Sequence, residues 1–91
     1  MLIKDDMLRE VIARTLRITE EEITEEKLLE LRNLSVRYAG VSSLEGLEYA
    51  ENLETLDLCG NDIEILDPGL RHLYNHLRKS KTSNRLYLSM I

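Results

Sequence analysis

The stretch Leu53-Glu54-Thr55-Leu56-Asp57-Leu58-Cys59-Gly60-Asn61-Asp62-Ile63-Glu64-Ile65-Leu66 decides how this chain folds. Its apolar markers are Leu53, Leu56, Leu58, Ile63 and Leu66, and 22 positions earlier stand Leu31, Leu34, Val36, Val41 and Leu44. Ala39 maps onto Asn61 at the same offset. Five apolar matches at one spacing within 91 residues mark an internal repeat. A period between about 20 and 30 residues means stacked coils, each too small to bury its own apolar face. Such a stack offers surfaces rather than catalytic pockets.

The second copy reads Leu-x-x-Leu-x-Leu-x-x-Asn-x-Ile-x-x-Leu, which is the leucine-rich repeat signature. In the Leu-x-Leu segment alternate side chains point into the coil, so the segment is a short strand. Stacked coils align these strands in a parallel sheet about 4.8 Å apart. Asn61 is expected to turn inward and satisfy backbone groups at the following bend, which would otherwise be buried and unpaired.

Upstream, residues 5–17 read as an amphipathic helix. Met7, Leu8, Val11, Ile12 and Leu16 recur at helical intervals behind Asp5 or Asp6 as N-cap. Thr19-Glu20-Glu21-Glu22 fits a capping box, and Thr24 can cap a second short helical turn. The acids sit at helix starts, where the dipole favours them. No apolar shell surrounds them to shield a metal.

The run Ile23-Thr24-Glu25-Glu26-Lys27-Leu28, followed by a degenerate strand and then the repeat register, resembles the entry to an internalin-like bacterial leucine-rich repeat protein. In that family a helical cap opening Asp-Pro-x-Leu precedes an Ile-Thr-Glu-Glu-Asp-Leu stretch. Here Asp5-Asp6-Met7-Leu8 stands in the place of the cap's first turn, without the proline. The likeness runs over residues 3–66. It implies a one-sided right-handed arc and a role in binding other proteins, and it names no partner.

After Leu66 the repeat breaks. Asp67-Pro68 is an N-cap and first-turn pair, and Leu70, Leu73, Tyr74 and Leu77 mark one face of a helix of about 12 residues. Lys79-Ser80-Lys81-Thr82-Ser83-Asn84 reads as a loop. Leu86-x-Leu88 then restores the strand motif of Leu56-x-Leu58, but eight positions later than the period would place it. Ile91 falls where the next inward Asn belongs. A stack ending there has an uncovered edge, which is expected either in a truncated piece or in a chain that pairs with a second copy.

The expected architecture is therefore α/β: a short leucine-rich repeat solenoid of one domain over residues 1–91. It comprises a helical cap at 1–30, repeats at 31–66, and a divergent helix and strand at 67–91, giving about three coils with parallel strands. At this length a domain buries only about 60–65 % of its unfolded surface, so neighbouring coils matter. There is no Phe and no Trp, and the core is aliphatic.

The net charge of −5 is unevenly spread. Residues 1–30 carry net −4, residues 31–68 net −6, and residues 69–91 net +5 through Arg71, Arg78, Lys79, Lys81 and Arg85. An acidic body and a basic tail attract each other, within one molecule or between two. The acidic body repels phosphates, so no nucleic acid is expected as partner. The single cysteine, Cys59, excludes an intramolecular disulfide and an all-cysteine zinc site. No signal peptide opens the sequence, and no apolar run reaches the length that a membrane-spanning helix needs. A complete chain would then be cytoplasmic, whereas an excised domain would be secreted or held at the cell surface, as many internalin-like proteins are.

The candidate binding residues are those alternating with the core leucines on the concave side. They are Asn33, Ser35, Arg37 and Tyr38 in the first strand, Thr55, Asp57, Cys59 and Gly60 in the second, and Arg85, Tyr87 and Ser89 in the third. Arg and Tyr suit a protein contact because they supply much of interface energy. His72 and His76 have the i, i+4 spacing of a shared metal, but they lie opposite Leu70, Leu73 and Leu77 and lack a third ligand, so exposed polar positions are the better account. A reactive Cys59 would need a base or helix N-terminus beside it, and no Cys-His or Ser-His-Asp spacing supplies one. The expectation is a non-enzymatic protein-interaction module without cofactor or metal, binding a protein of unknown identity. The alternatives are a homo-oligomer formed through the C-terminal edge and, least supported, a metal- or thiol-dependent enzyme.

Overall fold

The computed structural model describes residues 2–63, 67–79 and 87–89. Helix α1 (Asp6–Leu16) opens the chain. Asp5 is its N-cap, accepting from the N–H groups of Met7 and Leu8 at 3.0 Å each. Leu8 and Ile12 are fully buried and Val11 and Leu16 half-buried, as their spacing predicts. Met7 departs from that face and is 43 % exposed. At the C-terminus Arg17 adopts φ 59°, while the N–H of Ile18 reaches Ala13 O and that of Arg17 reaches Arg14 O. That is a Schellman closure built on arginine rather than glycine.

The capping box forms at the 3₁₀ turn Glu20–Glu22, where Glu22 Oε1 accepts from both the N–H and the hydroxyl of Thr19. Thr24 caps α2 (Glu25–Leu28) by accepting from Lys27 N–H. Strand β1 (Asn33–Ser35) follows, then a 3₁₀ turn at Leu47–Tyr49, strand β2 (Thr55–Asp57), helix α3 (Pro68–Lys79) and strand β3 (Tyr87–Ser89). The strands form one parallel sheet in the order β1-β2-β3.

The repeat register survives in three dimensions. Leu34 lies opposite Leu56, its equivalent in the next coil. Leu31, Leu34, Val36, Val41 and Leu44 are buried together with Leu53, Leu56 and Leu58, and Ile63 packs partly buried against them. Ile3, Leu8, Ile12 and Leu28 from the cap join the same cluster. Each such leucine contributes about 1.5–3 kcal/mol when taken out of water, so the cap and the coils share one source of stability.

The third strand enters in a different register from the expected one. The sequence motif aligns Leu86 with Leu56, but it is Leu88 that lies opposite Leu56. The two registers differ by two positions, one full period of strand alternation. The apolar pattern alone therefore cannot choose between them. The loop expected at 79–84 and the positions of Leu66, Leu86 and Ile91 lie outside the described residues, except that Lys79 ends α3.

Two aspartates finish the bend after the first coil. Asp5 Oδ2 accepts from the N–H and hydroxyl of Ser42 and from Ser43 N–H. From the other side Asp67 Oδ2 accepts from Leu44 N–H and from Leu70 N–H, the latter capping α3. Asp67 is 9 % exposed, a burial that its two backbone donors make tolerable. In the first turn of α3, Gly69 sits so close to the bend that a Cβ would come within 2.1 Å of Glu45 N.

Candidate functional site

Strands β1 and β2 carry their outward side chains on the face opposite the leucines. Asn33 and Ser35 flank the buried Leu34, and Thr55 and Asp57 flank the buried Leu56. Thr55 donates its hydroxyl to Asn33 Oδ1 at 2.7 Å, which ties equivalent positions of the two coils. The next pair on this face is ionic: Arg37 Nε lies 3.4 Å from Asp57 Oδ2.

Tyr38 lies at the edge of this surface. Its N–H donates to Cys59 O at 2.9 Å, which extends the parallel pairing beyond β1 and fixes its backbone. Its φ of 50° is left-handed, a conformation that costs a bulky L-residue about 1–2 kcal/mol. The ring lies over Gly60, where a Cβ would come within 2.2 Å of Tyr38 Cδ1. The Arg37 guanidinium carbon sits 5.9 Å from the ring centroid. The residue is nevertheless 76 % exposed. A large aromatic side chain thus stands mostly in solvent, with one part of its ring against Gly60.

Cys59 is the correction on this face. Expected on the open side, it is 9 % exposed and counts as buried. Strand β2 ends at Asp57 and the chain turns at Cys59 and Gly60, so the strand alternation used to place the thiol no longer holds there. The thiol and the N–H of Cys59 both hydrogen-bond the Asp57 carboxylate, which with the weaker influence of Arg37 holds Asp57 below its ordinary value. Asp57 is therefore held in its carboxylate form by its neighbours.

Of the third strand's candidates, Tyr87 and Ser89 have backbone positions opposite Thr55 and Asp57, while Arg85 lies outside the described residues. His72 is exposed on α3, and the side chain of His76 is outside the described set. Among the described residues no group of three or more His, Cys, Asp or Glu could hold a metal ion. No helix among them is long and apolar enough to cross a membrane.

Asn61 supports the whole surface from beneath. Its Oδ1 accepts from the N–H groups of Ala39 and Val41 at 3.1 Å each, and its Nδ2 donates to Val36 O and Leu58 O. The inward asparagine thus bridges both coils, as the spacing predicts. The residues missed in the sequence are Leu29 and Tyr49, 40 % and 38 % exposed, which line one depression together with Glu25, Glu26 and Glu51. The available signal was one leucine more in Leu28-Leu29-x-Leu31 than a single face can bury, and a tyrosine outside the repeat register.

No family model and no curated protein matches this chain. Solved structures do. An internalin of Listeria monocytogenes, InlF, superposes with a TM-score of 0.69 at 34 % identity, covering 79 % of this chain and 22 % of that one. The structure of the CBM51-2 and INT domains of ZmpB from Clostridium perfringens gives 0.67 at 33 % identity, over 94 % of this chain and 17 % of the other. The chain therefore spans about a fifth of the length of each solved chain that it matches. The likeness is that of an internalin-like leucine-rich repeat fold, which the entry sequence resembles.

Proposed function

We propose that this internalin-like leucine-rich repeat chain is a non-enzymatic protein-binding module, a short solenoid of three coils that engages its partner with the concave face of the sheet. The observation that carries the reading is Tyr38. Left-handed backbone at a bulky residue is retained where surrounding structure enforces it, and such strain gathers at functional positions. Here the enforced result is an exposed aromatic beside an arginine. Tyrosine and arginine dominate the energetic centres of protein interfaces, and a backbone fixed before binding spares part of the entropy of ordering them. The likeness to internalin-type domains supports the same reading.

The test is the combined variant Arg37→Ala, Tyr38→Ala and Asp57→Ala, with far-ultraviolet circular dichroism to verify folding. A partner captured by the wild-type chain, once purified, is expected to bind this variant at least about tenfold more weakly, since one interface anchor is worth about 2 kcal/mol. Unaltered affinity would remove the concave face from the mechanism.

A further inference from the structure

A second surface lies where α2 meets the 3₁₀ turn Leu47–Tyr49. One shallow depression of ≈ 620 Å³ has Leu2 and Ile23 among its lining residues, and a neighbouring one of ≈ 360 Å³ has Leu29 and Tyr49. Glu25 and Glu26 line both, so the two adjoin as one shallow groove, with Thr24 beside Leu2 and Ile23 in the first depression and Glu51 beside Leu29 and Tyr49 in the second.

We propose that this groove docks a cationic amphipathic segment of a partner protein, placing aliphatic side chains in the two depressions and lysine or arginine against Glu25 and Glu26. Hydrogen bonds hold the backbone that carries the apolar side chains. Leu29 donates its N–H to Glu26 O, its carbonyl accepts from Asn52 Nδ2 at 2.8 Å, and Tyr49 N–H donates to Gly46 O. Leu29 and Tyr49 are two of the four large hydrophobics exposed among the described residues, and they share one depression.

Charge selects the occupant. Nearby Glu30 is paired with Lys27, and Glu54 with Arg32. Glu25 and Glu26 make no ion pair among the described residues, and no lysine or arginine among them lines either depression. An apolar segment entering the groove strips water from these two carboxylates. A neutral or acidic segment leaves that cost uncompensated, whereas a basic one offsets it. This groove is separate from the sheet face, so its partner need not be the one bound there.

The probe is a fluorescein-labelled, end-capped peptide of alternating leucine and lysine, with a leucine–glutamate peptide as control, read by fluorescence anisotropy. The wild-type chain is expected to bind the cationic peptide and not the acidic one. Binding should weaken as salt is raised from ~0.05 to ~0.5 M, because exposed charge attraction is screened. The double variant Glu25→Gln/Glu26→Gln and the single variant Leu29→Ser should each lose about tenfold in affinity, while Arg37→Ala/Tyr38→Ala changes nothing. All substituted positions are solvent-accessible, and circular dichroism verifies that each variant is folded. No binding of the cationic peptide, equal binding by either groove variant, or loss in the Arg37/Tyr38 variant instead would overturn the proposal.

Discussion

Asn61 and Asp5 do comparable work at the scale of single residues, though only one of them can be read in full from the sequence. Asn61→Ala removes two acceptor and two strong donor contacts from partly buried backbone groups. The expected cost is about 2–4 kcal/mol, measured as a lower urea midpoint with unchanged slope. Asp5 carries a pH signature. Burial pushes its carboxyl up, but hydrogen bonds from Ser42, Leu8 and Ser43 outweigh this and leave it below its ordinary value. A carboxyl whose folded value is depressed stabilises the fold above its unfolded value of about 4, and that stabilisation is lost as pH falls through the lower folded value. Wild type should therefore lose more stability than Asp5→Asn between about pH 5 and pH 2.5. Urea titrations of both proteins across that range check it, and parallel curves would refute it. The role of Asn61 follows from one repeat spacing. The second role of Asp5 joins it to Ser42 and Ser43, far along the chain, and nothing local in the sequence announces it.

At the scale of elements, α3 is the informative case. Its start at Asp67-Pro68 and its 12-residue length are legible because cap chemistry and helical periodicity are local. Its packing is not. Alanine in place of glycine ordinarily stabilises a helix by about 1 kcal/mol. At Gly69 the sign should invert, because the new methyl would press on the backbone of Leu44 and Glu45. Gly69→Ala is expected to cost about 1–3 kcal/mol and to lower the thermal midpoint accordingly. A raised midpoint would mean that α3 does not seat against the bend this closely. The same limit explains the two positions misjudged on the sheet. The register of β3 sets Leu88 rather than Leu86 opposite Leu56, a shift of two positions that a period-two pattern cannot distinguish. Cys59 depends on where strand geometry gives way to a turn. Periodicity reports which side chains share a face, and it is silent on where the face ends.

The whole molecule combines a net −10 over residues 1–68 with +5 over residues 69–91. If opposite charge draws two copies together, sedimentation velocity should find association at low salt that dissolves at high salt, since exposed pairs are screened beyond about 10 Å at 0.1 M. A clean monomer at high micromolar concentration and low salt would dismiss self-association. A different consequence follows from the bend at residues 42–44, held by Asp5 from one side and by Asp67 from the other. Its amides are completed by side chains from the units before and after it. Lengthening the protein is then a matter of junctions as well as of matching leucines. A duplicated unit of residues 45–66 spliced in after Leu66 would set the second copy of Glu45 where Asp67 now meets Leu44 N–H. An engineer extending this scaffold would need aspartate at that seam, so that each added coil finishes the one before it.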